Sequence, residues 1–276
     1  MLSNASLDIA FHDMSFIEQC SLVPFLSHTL KRIDSRKVID DEYIKMFWVG
    51  LMEGDGSIQV NHWRKKSLQY RLIIKLSSLP SNYNMLIKIA KVIGGTVRKS
   101  GNFVIWVVDD KKKVQELIKI FDKYPLLSSK KNCQLAFLKK CLIENSMDFY
   151  LTNRDSKFED QKGFINTMEE SIENKTFTLP IHFHAWLSGF IEAEGCFSIR
   201  QSNNHSFSIG QNDDFYLLIL IKQYFNVINK VRNTKANFYL LEIYKKDALK
   251  KILSHCTAFP LLGEKAESLK RFQTKL

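Results

Sequence analysis

A chain of 276 residues, 45% of them hydrophobic and 20 of them Phe, can bury one large core or two ordinary ones, which excludes an intrinsically disordered polypeptide. Its formal charge of +11 points to a polyanionic partner, nucleic acid first and an anionic membrane surface second. Five cysteines without a C-x-x-C pair argue against a disulfide framework and a Cys-based zinc site, and suggest a reducing compartment. No run approaches the ~18 apolar residues of a membrane span, so no membrane partner is expected.

Residues 1–38 read as an N-terminal extension without strong periodicity. Asp8, Asp13 and Glu18, in the absence of a basic leader, speak against a cleaved targeting peptide. A helix can begin at Asp40-Asp41, where aspartates cap free N–H groups. It runs to about Asp55, with Gly56 expected as its C-cap. Ser57 to Asn61 and Leu68 to Leu76 alternate apolar and polar residues and form a hairpin around the polar Trp63 to Ser67. Leu68, Tyr70, Leu72, Ile74 and Leu76 share one face; Gln69, Arg71, Ile73 and Lys75 share the other.

Asn82 to Val92 has helical spacing and stops at Gly94-Gly95. Thr96 to Arg98 and Phe103 to Val108 make a second hairpin, turning at Ser100-Gly101-Asn102. Helices over Val114 to Phe121 and about Ser129 to Leu142 complete a first unit, residues 39–143. Residues 144–179 are polar and mixed in charge and read as a linker, helical around Phe164 to Ile172. The pattern then restarts over 180–276. Pro180 suits a first helical turn, and Ala185 to Glu194 is a helix. Hairpins at Cys196–Gln201 with Ser206–Gln211, and at Lys230–Arg232 with Phe238–Ile243, alternate with helices at Phe215–Phe225 and Lys246–His255. A last helix follows Pro260.

The restart keeps register. Val97-Arg98 matches Val231-Arg232, Asn102-Phe103 matches Asn237-Phe238, and Tyr124-Pro125-Leu126-Leu127 matches Phe259-Pro260-Leu261-Leu262, at offsets of 134 or 135 residues. The chain is therefore two copies of one unit. Each copy opens with an apolar nonapeptide, Trp48-Val49-Gly50-Leu51-Met52-Glu53-Gly54-Asp55-Gly56 and Leu187-Ser188-Gly189-Phe190-Ile191-Glu192-Ala193-Glu194-Gly195. Gly50 and Gly54, like Gly189 and Ala193, lie one helical turn apart and allow two helix backbones to approach closely. Such packing brings Asp55 and Glu194 together. Two nearby carboxylates repel and call for cations, and hard oxygen donors without His or Cys favour Mg²⁺ over zinc. In a basic protein with exposed strand faces, that suggests metal-assisted phosphodiester hydrolysis. Glu53 and Glu192, turned ~100° per residue away, are expected to cap or make structural hydrogen bonds. His182 and His184, without an acidic or Cys partner nearby, are expected to be structural, and Lys111-Lys112-Lys113 to be a solvated helix start.

WVGLMEGDG and LSGFIEAEG resemble the paired motifs of the LAGLIDADG homing endonucleases in their single-chain, two-repeat form, over about Asp40 to the C-terminus. FIEAEGCFS and FDKYP…K resemble the fungal mitochondrial intron-encoded members, some of which also act as RNA maturases. The resemblance implies an α+β fold of two pseudo-twofold-related αββαββα repeats, with motif helices at their interface and antiparallel sheets forming a DNA-binding saddle. It implies a monomer that cuts both strands of a long double-stranded DNA target across the minor groove, leaving short 3′ overhangs. It further implies two or more Mg²⁺ ions, with Mn²⁺ or Ca²⁺ able to substitute in binding, a mitochondrial location, and host intron RNA as the alternative partner of a maturase. Asp55 and Glu194 would bind metal, joined by the carbonyls of Gly54 and Ala193. Lys130 and Lys265 would stand near the attacking water or the phosphate. Gln211 would organise solvent, its counterpart in the first repeat being Ser78 or Lys75. On strand alternation, DNA contacts are expected from Gln59, Asn61, Arg71 and Lys75, and from Ser198, Arg200 and Ser202. Arg98, Lys99, Arg232 and Lys235 on the second hairpins complete that set.

Overall fold

Two runs too apolar to face water on any side become the central helices. In the computed structural model, which describes residues 39–199 and 204–274, these are α1 (Asp41–Gly54) and α7 (Phe183–Glu194). The Asp40 carboxylate caps α1 by accepting from the Tyr43 N–H at 2.7 Å. The chain leaves α1 through Asp55 and enters β1 (Gly56–Trp63) directly. Gly56 is therefore a strand residue and not a helix-ending glycine. It is glycine because a Cβ there would sit 2.5 Å from the Met52 carbonyl oxygen.

β2 (Ser67–Ser77), α2 (Pro80–Ile93), β3 (Thr96–Ser100), β4 (Phe103–Val108), α3 (Lys111–Lys123) and α4 (Ser129–Glu144) complete the first unit. Between the units lie α5 (Met147–Asn153) and α6 (Gln161–Glu173), two helices where the sequence indicates one. After α7 come β5 (Gly195–Ile199), β6 (His205–Asn212), α8 (Phe215–Tyr224), β7 (Val231–Lys235), β8 (Phe238–Ile243), α9 (Lys246–Ala258) and α10 (Glu264–Gln273). Pro180 lies before α7, in a turn where its carbonyl accepts from the Phe183 N–H at 2.9 Å. The extension 1–38 lies outside the described residues. Among the described residues, no helix is long and apolar enough to cross a membrane.

Each unit builds one antiparallel sheet with the same strand order, β1-β2-β4-β3 and β5-β6-β8-β7. Registers correspond as well: Gly56 pairs with Ile74, and Gly195 with Ile209; Ile74 pairs with Trp106, and Ile209 with Leu241. One face of each sheet is buried under helices by Tyr70, Leu72 and Ile74, or by Phe207, Ile209 and Leu241. The core continues through α1 and α7, with the Trp48 ring 4.8 Å from Phe121 and Trp186 4.9 Å from Phe190.

Candidate active site

The contact between α1 and α7 is the most extensive between any two elements. It is a backbone contact. A Cβ on Gly50 would overlap the Trp186 carbonyl, and one on Gly189 would overlap the Phe47 carbonyl in the same way. That reciprocity is the pseudo-twofold axis seen at atomic scale. At its lower end a Cβ on Gly54 would meet the Ala193 Cβ and come within 3.2 Å of the Glu194 Oε1. Asp55 caps α1 and Glu194 is the last residue of α7, so both eighth-place acids arrive at one point.

Two helix C-termini converge there, and neither last turn contains a basic residue. Asp55 is open towards the crevice, yet the packed repeats crowd it enough that lost hydration raises its pKa to about 6. Burial, and then the charge of Asp55, raise that of Glu194 to about 7. Two lysines moderate this. Asp55 is influenced by Lys265 first and Lys131 second, and Glu194 by the same two in reverse order. Each acid thus feels most strongly a lysine from the other repeat. Lys131 donates to the Gly56 carbonyl, and its own pKa is lowered by burial against the pull of Glu53, Glu194 and Asp55.

The sixth-place acids turn the other way, as expected. Glu53 accepts from the N–H groups of Leu127 (2.7 Å) and Ser128 (2.5 Å) and from the Trp186 indole (2.8 Å). Glu192 accepts from the N–H groups of Leu262, Gly263 and Lys265. Each therefore caps the helix that carries a site lysine, α4 or α10. A second cap crosses between repeats: Asp214 accepts from Ser129 N at 3.0 Å, and Asn82 from Glu264 N at 3.0 Å. His182 bonds the Pro125 carbonyl and His184 packs on Tyr224 and Phe259, both structural roles.

Three sequence expectations need correction. Lys130 does not face the acids; it pairs with Asp213 at 3.1 Å, and Lys131, about 100° further round α4, takes the inward position. Sequence adjacency hid Lys131, because two consecutive lysines look alike until the helix phase is known. Gln211 is half-buried on the core face of β6, in line with the buried Phe207 and Ile209. Its counterpart is neither Ser78 nor Lys75 but Leu76: Ser78 N bonds the Asn102 carbonyl as Asp213 N bonds that of Asn237, which aligns Ser78 with Asp213. Lys99, finally, lies beside the buried Val104 on the helix-covered face, its ammonium 5.2 Å from the Tyr83 ring.

Gln59, Asn61, Arg71, Lys75 and Arg98 do share the open face. Gln59 pairs with Arg71, and Lys75 with Ile105, which pairs in turn with Arg98. Arg71 lies 3.7 Å from Asp109, and the Lys75 ammonium 3.9 Å from the Phe103 ring. In the second sheet, Ser198 lies opposite Ser206, Arg232 pairs with Glu242 at 2.7 Å, and Lys235 follows an irregularity in β7. Arg200 and Ser202 lie outside the described residues.

The donor set suits a hard divalent cation: two carboxylates, whose pKa values burial raises and, for Glu194, the neighbouring charge of Asp55 raises further, and the carbonyl-bearing ends of two helices. Among the described residues no group of three or more His, Cys, Asp or Glu side chains is suited to hold a metal. Further ligands would thus come from carbonyls such as those of Gly54 and Ala193, from water, and from phosphate.

Residues 48–141 and 187–275 match the LAGLIDADG endonuclease family. The probable intron-encoded endonuclease aI3 of Debaryomyces hansenii is 49% identical over 99% of this chain, which spans 47% of that relative's length. Its namesake in Dictyostelium citrinum is 46% identical over 88% of the chain and 98% of its own length. Among solved structures, I-SmaMI bound to uncleaved DNA target in the presence of calcium ions aligns with a TM-score of 0.64 at 19% identity, covering 83% of this chain and 89% of that one. The I-LtrWI homing endonuclease bound to target DNA gives 0.64 at 20%, covering 85% and 90%. With its two motif helices crossing at their glycines and both repeats matched, this chain belongs to the LAGLIDADG endonuclease family.

Proposed function

We propose that this chain is a site-specific homing endonuclease that makes a double-strand break in a long DNA target by Mg²⁺-dependent phosphodiester hydrolysis. The observation that carries the proposal is the meeting of Asp55 and Glu194 at two helix C-termini that lack a basic residue. Residues 39–143 and 180–276 serve as the two recognition repeats, joined by 144–179, so one chain acts as a monomer. The names of its relatives support an intron-encoded origin, and the resemblance of its motifs to fungal mitochondrial intron-encoded members favours a mitochondrial setting.

Asp55 and Glu194, with the Gly54 and Ala193 carbonyls, would hold the cations. A bound divalent ion supplies Lewis acidity towards the phosphate and a readily deprotonated water. The chain's own part is electrostatic and positional. Lys131 and Lys265 offset the charge of the acids and of the phosphate, and Glu53 and Glu192 fix the helices that bear those lysines. The open faces, through Gln59, Asn61, Arg71, Lys75, Arg98, Ser198, Arg232 and Lys235, would lie along the major groove.

Incubating the chain with Mg²⁺ and a target selected from randomised duplexes tests this. Wild-type protein is expected to linearise a plasmid carrying the target, whereas Asp55→Asn and Glu194→Gln leave it intact. A chain that promotes splicing of its host intron RNA but cuts no duplex would put the maturase in its place.

A further inference from the structure

The two half-sites are not electrostatic equals. Lys130 and Lys265 occupy matching places, each the second residue of its helix. Lys265 makes no ion pair among the described residues and acts on Asp55. The Lys130 ammonium is held 3.1 Å from Asp213 Oδ2. Asp213 is itself fixed: its N–H bonds the Asn237 carbonyl at 2.7 Å, and its backbone is left-handed at φ 66°. Gln161, from linker helix α6, donates to Ser129 Oγ at 3.0 Å and towards Asp213 Oδ2 at 3.4 Å, bracing the carboxylate against the start of α4. Among the described residues, Lys265 has no such arrangement. The position matching Asp213 is Ser78, without a charge, and among the described residues the linker that supplies Gln161 has no second copy.

We propose that Asp213 and Gln161 are positioning residues that clasp Lys130 and hold its ammonium away from the acids, so that the half-site of the first repeat relies on the half-buried Lys131 alone, the other on the unpaired Lys265, and the two DNA strands are cut at unequal rates. This rests on the endonuclease reading above. The pair is half-exposed, so its effect on one strand is roughly two- to fivefold.

Asp213→Asn is the informative variant, because asparagine tolerates the left-handed backbone and keeps an acceptor for Gln161 while losing the charge. Single-turnover cleavage of a duplex labelled on both strands gives the two rates separately. The expected result is that wild type cuts one strand faster, and that Asp213→Asn accelerates the slower strand alone, narrowing the ratio. Amine acylation of the free protein, read by mass spectrometry, should rise at Lys130 relative to Lys265 in the variant. An unchanged ratio, or equal changes on both strands, overturns the clasp and leaves the endonuclease standing. A wild type that cuts no selected duplex removes the endonuclease, and with it the inference.

Discussion

Within one helical turn, neighbouring acids of the same motif do opposite work. Glu53 is buried and takes three donors, so Glu53→Ala orphans two peptide N–H groups and an indole and should cost at least ~3 kcal/mol in urea denaturation. Asp55→Asn should instead leave the fold intact and lower cleavage by more than about a hundredfold, as loss of metal-holding groups does. Charge state supplies a second test. Asp55 and Glu194 have folded pKa values of about 6 and about 7, above the ordinary carboxylate range, so the folded apo chain holds those protons more tightly than the unfolded one. Stability without metal therefore falls as pH climbs from that range to about 7, and is level for these groups beyond it. In EDTA, melting temperatures of the Asp55→Asn/Glu194→Gln double variant should exceed wild type at pH 8 and converge with it at pH 4. The eighth-place acids were legible because the motif occurs twice. Lys131, Asp214 and Gln161 were not, because their roles arise from helix phase and from contacts between repeats that no local pattern encodes.

Among the elements, α1 and α7 matter through what they lack. Gly50→Ala or Gly189→Ala would drive a methyl group into the facing carbonyl, with no flexible side chain to yield, and should destabilise by at least ~3 kcal/mol as overpacking. The two losses should be alike because the contacts are reciprocal, and chemical denaturation of both variants checks this. Most element borders could be read from alternation and capping residues such as Asp40 and Gly94. The exceptions have physical causes. α5 is one short helix of seven residues, too brief to show a period. Gly56 is small for the sake of the Met52 backbone and so imitates a helix stop. The match of Gln211 to Leu76 pairs a polar with an apolar residue, which side-chain comparison alone would reject; strand register reveals it.

Taken whole, the molecule presents two open sheet faces and a net charge of +11 to a polyanion. Duplex affinity should fall steeply with salt. Replacing Arg71, Lys75 or Arg98 with Ala should reduce the slope of log K against log salt by about 0.9 for each phosphate no longer neutralised, whereas Lys99→Ala, from the covered face, should leave it unchanged. Fluorescence anisotropy titrations in calcium at several salt concentrations would show the difference. The glycine contact between α1 and α7 has a further consequence at this scale. Because main chain touches main chain there, the spacing of the two acids is fixed by peptide geometry and not by any side chain that could drift. The contact works as a caliper set to one gap. On the endonuclease reading, the sheets could exchange residue after residue, and the chain acquire new addresses in a genome, while the offset between its two cuts would stay constant.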